Sequence, residues 1–137
     1  MAENRAGFEE IAHTADWALK VWAPDLPQLF AQAAQGMVSL LAVEIDPARR
    51  VEHRLALECE DAEGLLVAFL AELLYLMESE RLAFDTFDLA VEGLHLSARL
   101  SGAALLSQGK EIKAVTYHNL KIQSTPAGYT VTIVFDV

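Results

Sequence analysis

The last residues of the chain carry the first candidate chemistry. Tyr129, Val131, Ile133 and Phe135 alternate toward one face, and the chain stops at Asp136-Val137. Period-two alternation therefore puts Asp136 on the opposite face, one residue from the free α-carboxylate of Val137. Two carboxylates that close repel each other unless a cation joins them. Hard cations such as Ca²⁺ and Mg²⁺ take oxygen ligands of this kind. Chain ends commonly fray in water, but an apolar strand running to the last residue implies a docked end.

Two further stretches hold reactive side chains. His13-Thr14-Ala15-Asp16 joins two expected strands. Asp16 there is a metal ligand or general base on one reading, and a turn residue bonding nearby amides on the other. Glu111-Ile112-Lys113-Ala114-Val115-Thr116-Tyr117-His118 crowds Glu, Lys, Thr, Tyr and His into one segment. Lys113 can present a cation to a phosphate or a partner carboxylate, and His118 can act as base or ligand. The plainer reading is an exposed edge strand with ordinary polar residues. His53, on the apolar side of its segment, reads as a packing residue, and His95 near a turn reads as solvent-facing. No glycine-rich phosphate loop, Ser-x-Gly elbow or paired-cysteine motif is present.

The elements that must position these residues follow from periodicity. Short strands are expected over residues 8–11 and 17–23, the second ended by Pro24. Asp25 stands three residues before Gln28 as a helix cap, and Leu26, Leu29, Phe30, Ala33, Met37, Leu40 and Leu41 recur at helical spacing, giving a helix over 26–42. Gly36 within it points to close packing. Asp46-Pro47 marks a turn. Val51, His53, Leu55, Leu57 and Cys59 alternate as a strand. Asp61 caps a second helix, with its stripe on Leu65, Leu66, Phe69, Leu70, Leu73, Leu74 and Met77. Residues 87–91 and 94–100 form a hairpin turned at Glu92-Gly93. Residues 101–110 read as a loop. Strands over 115–123 and 129–137, turned at Pro126-Ala127-Gly128, complete the chain. Two helices with wide apolar stripes need a sheet to cover. The expected architecture is α+β, a two-layer sandwich with a mostly antiparallel sheet covered by two helices, as one domain over 1–137.

Composition narrows the function. Hydrophobic residues make up 53% of the 137, enough for a sizeable core. The net charge is −10, which argues against an extended RNA-binding surface, since phosphate contacts need a basic face. It suits a cation, or a partner with basic surface. One cysteine, Cys59, leaves no internal disulfide or multi-cysteine zinc site and fits a reducing cytoplasm. No signal peptide or membrane span is expected.

Five segments together resemble the archease family. They are Phe8-Glu9-Glu10-Ile11-Ala12-His13-Thr14-Ala15-Asp16, Leu29-Phe30-Ala31-Gln32-Ala33-Ala34-Gln35-Gly36-Met37, Leu73-Leu74-Tyr75-Leu76, Lys113-Ala114-Val115-Thr116-Tyr117-His118, and the ending Phe135-Asp136-Val137. They span the chain in order. The resemblance implies an accessory protein that promotes guanylylation and turnover of an RtcB-type RNA ligase in tRNA splicing and RNA repair. It implies metal ligation by Asp16, Asp136 and Val137, with Ca²⁺ first and Mg²⁺ or Mn²⁺ next. Lys113 matches a lysine tied to activity in the family, and His13 and His118 fall inside matching motifs. The expected protein has no catalysis of its own and no strong direct contact with nucleic acid. The alternatives are a small metal-dependent phosphohydrolase built on the same residues, or a chaperone-like module for RNA-modifying enzymes.

Overall fold

The computed structural model describes residues 5–11 and 17–137. The elements run β1 (Gly7–Ile11), β2 (Trp17–Ala23), α1 (Leu26–Leu41), β3 (Val43–Ile45), β4 (Val51–Glu58), α2 (Ala62–Glu80), β5 (Leu82–Glu92), β6 (His95–Gln108), β7 (Ala114–Val115), β8 (Gln123–Thr125) and β9 (Gly128–Asp136). The α+β class holds, and every described strand pair is antiparallel.

Both helices begin where a side chain satisfies their orphan amides. Asp25 Oδ1 accepts from the Gln28 amide at 2.9 Å, and Gln28 Nε2 returns a bond to Oδ2 at 2.8 Å. Asp61 Oδ1 accepts from the Gly64 amide at 2.6 Å. α1 stops one residue earlier than its apolar spacing suggests. Ala42 turns left-handed at φ 52°, and its amide bonds the Ser39 carbonyl. Gly36 gives α1 its close seat on the sheet, since a methyl there would lie 3.0 Å from Phe8 Cγ and run into Leu19.

The strands divide into two sheets rather than one. The first runs β1-β2-β9-β7, with β8 also on β9. In the second, β6 is central, with β3 and β4 on one side and β5 on the other. α1 packs on β1, β2 and β5, and α2 on β4, β5 and β7, so each helix touches both sheets. Phe30 and Phe69 stack between the helices with ring centroids 6.4 Å apart. Among the described residues no polar or charged side chain is buried.

Three further expectations change. Residues 101–110 are mostly strand, not loop, because β6 continues to Gln108. Ser101-Gly102-Ala103-Ala104 has weak intrinsic strand character, and pairing to the start of β5, with β4 alongside Ser101 and Gly102, overrides it, while the unforeseen β3 pairs with Leu105, Ser107 and Gln108 beyond. The strand expected over 115–123 survives only as β7 and β8. Residues 116–122 span the gap between the pairs Val115↔Phe135 and Gln123↔Thr130, where β9 supplies only residues 131–134, so the surplus loops out. The β5–β6 turn is Gly93-Leu94 rather than Glu92-Gly93, with Glu92 paired to His95. Gly93 has φ 60° and Leu94 does not, the pattern of a type II′ hairpin. His53 does pack, its ring 6.0 Å from that of Phe84, and exposed His95 meets Glu58 at 3.2 Å. Among the described residues no helix is long and apolar enough to cross a membrane.

β5 carries an extra residue, Asp85, between the pairs Phe84↔Gly102 and Thr86↔Ser101. Arg50 grips it with two bonds, at 3.0 and 2.6 Å, and also reaches Ser101 Oγ at 3.0 Å. These hydrogen bonds, ahead of the charge attraction, hold the Asp85 carboxyl below its usual range. A depressed folded value contributes stability above the ordinary carboxylate range and loses it as pH falls through the folded value. The stability gap between wild type and Asp85→Asn should therefore be present at pH 7 and close in strong acid, read by urea melts across pH. Gly102 faces the bulge directly, and a methyl there would strike the Ala83 carbonyl and Phe84 backbone. Gly102→Ala should cost about 1–3 kcal/mol or more by denaturant unfolding.

Candidate functional site

β9 lies inside its sheet, between β2 and the short strands β7 and β8. Val131, Ile133 and Phe135 are buried against the helices, as alternation requires. Asp136 falls on the other face and is exposed, and Val137 is 37% exposed. The end is docked on both sides. Trp17 pairs with Phe135 from β2. From β7, Ala114 pairs with Asp136, the Lys113 amide donates to the Asp136 carbonyl at 2.8 Å, and the Thr116 amide donates to that of Val134 at 3.0 Å.

This register brings Lys113 to the carboxylate end. Ile112 and Val115 are buried on either side of it and anchor the segment, leaving Lys113 and Ala114 exposed. Lys113 lines an open groove of about 590 Å³ with Tyr75 and Glu78 of α2 and with Glu111. Tyr75, 57% exposed, was given no role by its sequence pattern. Its position off the apolar stripe of α2 was the available signal. Among the described residues Lys113 makes no ion pair.

His118 is not brought to this end. It sits in the loop of residues 116–122, its amide on Thr116 Oγ1 at 3.2 Å and its Nε2 3.2 Å from Asn119 Nδ2. That loop is tied to the start of α2, where Glu63 Oε2 accepts from the Ile122 amide at 2.9 Å. His13 and Asp16 lie outside the described residues. Asp16 is, however, the chain neighbour of Trp17, whose cross-strand partner is the neighbour of Asp136. Among the described residues no cluster of three His, Cys, Asp or Glu side chains gathers as a metal cage. The side-chain donor at the β9 end, the exposed Asp136 carboxylate, is a hard oxygen open to water. A carboxylate oxygen is the donor type that calcium and magnesium take.

Comparison with known proteins places this geometry. Residues 8–137 match the model of the archease protein family (MTH1598/TM1083). The chain belongs to the archease family. The archease of Thermococcus kodakarensis is 35% identical over 133 residues, covering 88% of this chain and 91% of its own. That of Archaeoglobus fulgidus is 32% identical over 138 residues, covering 95% and 98%. The solution structure of Methanobacterium thermoautotrophicum protein 1598 superposes with a TM-score of 0.74 at 25% identity, over 96% of this chain and 99% of that one. The same fold recurs in a Thermotoga maritima crystal structure described as an archease, possible chaperone, with a TM-score of 0.71 at 24% identity over 94% and 96%.

In this archease-family chain the docking of the C-terminal strand and the exposed carboxylate on it are separable. Phe135→Ala should cost about 3–5 kcal/mol in denaturant unfolding, because it empties a fully buried site. Asp136→Ala should stay within about 0.5 kcal/mol of wild type. A large loss in Asp136→Ala would mean that its side chain supports the fold.

Proposed function

We propose that this archease-family protein is an accessory factor that binds a divalent cation and activates an RtcB-type RNA ligase, promoting its guanylylation and turnover without catalysis of its own. The observation that carries the reading is the junction of β7 and β9. It sets an exposed lysine, Lys113, beside the exposed end of a rigidly docked strand. Family membership supports the accessory role, and the Thermotoga relative is itself described as a possible chaperone.

Asp136, the carboxylate of Val137 and Asp16 are the proposed ligands; all three donors are oxygens, which favours Ca²⁺, Mg²⁺ or Mn²⁺ over Zn²⁺, and the family resemblance puts Ca²⁺ first. A bound cation would offset two of the three carboxylate charges and could take an oxygen of the partner as a further ligand. Lys113 supplies a second, fixed-charge contact next to it, and His13 and His118 belong to the proposed partner surface. The partner handles RNA and so carries basic surface, and the net charge of −10 on this chain speeds and orients that encounter. The place of action is the cytoplasm, in keeping with a single free cysteine, Cys59.

The ligase guanylylation rate tests the assignment of Lys113. Lys113→Ala should leave the melting temperature nearly unchanged, since an unpaired surface lysine contributes little to stability. It should reduce stimulation by tens- to thousands-fold, the equivalent of about 2–5 kcal/mol for a desolvated charge contact. Lys113→Arg should rescue in part, because the guanidinium keeps the charge and changes its shape. Full stimulation by Lys113→Ala makes the residue a solvated strand lysine.

A second assay separates the accessory role from the phosphohydrolase alternative. The pure protein, incubated with metal, GTP and RNA, should turn over neither. Robust turnover that disappears in Asp16→Ala would establish the hydrolase instead.

A further inference from the structure

The helices cover one face of the first sheet, and the opposite face holds an open pocket of about 870 Å³. Cross-strand register lines up Gly7, Trp22 and Thr130 in one row on that face, and Glu9, Lys20 and Thr132 in the next. Gly7 decides how the row packs. A methyl group there would come within 2.8 Å of Trp22 Cζ2, so the indole rests where a side chain would otherwise stand. Trp22 is thereby half-buried and contributes ring surface to the pocket. Lys20 and Arg5 are exposed on its lining, and neither makes an ion pair among the described residues. Among the described residues Glu9 is the one acidic group on the lining, against the two cations Arg5 and Lys20, in a chain of net charge −10. Thr125, whose hydroxyl accepts from the Ala127 amide at 3.2 Å, lies on the β8–β9 turn and closes the far side.

We propose that this pocket binds one nucleotide, with the base against the Trp22 indole and the phosphate at Lys20 and Arg5. The size is right for such a ligand, since small-molecule sites run to roughly 300–1,000 Å³. The chemistry is specific to the combination. An aromatic plane accepts the face of any base, and flanking cations take the phosphate. An acidic peptide would use the cations and leave the ring surface without a flat partner. The overall acidity of the chain opposes an extended nucleic-acid track but not a site that needs two cations. The same contacts would hold a free nucleotide or one residue of a single-stranded RNA. This inference does not depend on the cation or on the ligase.

The experiment is titration of the full chain at low salt, followed by heteronuclear NMR. The ligands are guanosine monophosphate and a single-stranded RNA tetranucleotide, with ribose 5-phosphate and an acidic peptide as controls. Saturable one-to-one binding is expected, with the Trp22 indole N–H resonance among those that move. Ribose 5-phosphate should bind at least about 10-fold more weakly than guanosine monophosphate, because it cannot stack. Trp22→Leu should weaken nucleotide binding about 10-fold. The double variant Arg5→Gln, Lys20→Gln should weaken it similarly and flatten its salt dependence, with the melting temperature unchanged. Tighter binding of the tetranucleotide than of the mononucleotide identifies RNA as the source, and equal affinity identifies free nucleotide. Absence of saturation with either, wild-type affinity in the charge variant, or binding of the acidic peptide alone overturns the proposal. Should Trp22→Leu fail to fold, the charge variant and the ribose 5-phosphate control decide it.

Discussion

β9 can sit inside its sheet only by burying one complete face, and most of the architecture is arranged around that requirement. Val131, Ile133 and Phe135 meet the helices while β2, β7 and β8 supply hydrogen-bond partners along both edges. A slip of one residue would turn all three into water and bring Thr132 and Asp136 into the core. The register is therefore strongly fixed. With it comes the position of every outward group on the strand, Asp136 included.

The same constraint explains why the two helices bridge two sheets. Each helix has a stripe wider than one sheet edge can cover, and α1 and α2 both find their remaining partners on the second sheet, chiefly on β5. The second sheet adapts by bulging. β5 accommodates Asp85 opposite glycine and a paired arginine, and β6 accommodates Leu106 opposite β3, leaving that leucine 60% exposed. Bulges of this type let long strands twist around a helical layer without breaking their ladders. The groove beside Lys113 lies where α2 and the segment leading into β7 face each other across the site.

How much of this was legible in the sequence depends on whether local pattern or distant pairing decided the outcome. The caps at Asp25 and Asp61, the alternation of β2, β4 and β9, and the close seat of Gly36 are local signals, and they read correctly. The outward placement of Asp136 followed from counting by twos. The extension of β6 through Ser101-Gly102-Ala103-Ala104 could not be read, because small residues say little until β5 and β4 lie alongside. The division into two sheets was hidden for the same reason, as alternation names a face but not a neighbour. In residues 115–123 alternation suggested one strand, and only the count of residues on β9 shows that part of the segment must leave the ladder. Lys113 stood out by its company in sequence. Its proximity to the C-terminus is a matter of register, invisible without β9. Trp22 and Lys20 carry no local signal beyond their place in the strand over 17–23, since the bare patch at Gly7 that receives the indole belongs to another strand.

The oxygen-ligand site proposed at the β9 end is tested most directly by calcium titration in a calorimeter. The wild-type chain should bind one ion. A chain lengthened past Val137, in which the terminal carboxylate becomes an amide, and the variant Asp136→Asn should each bind at least about 10-fold more weakly, since each loses a charged oxygen donor, while melting as wild type does. Unchanged affinity in both would contradict the account, leaving β9 a docked strand with a solvated end.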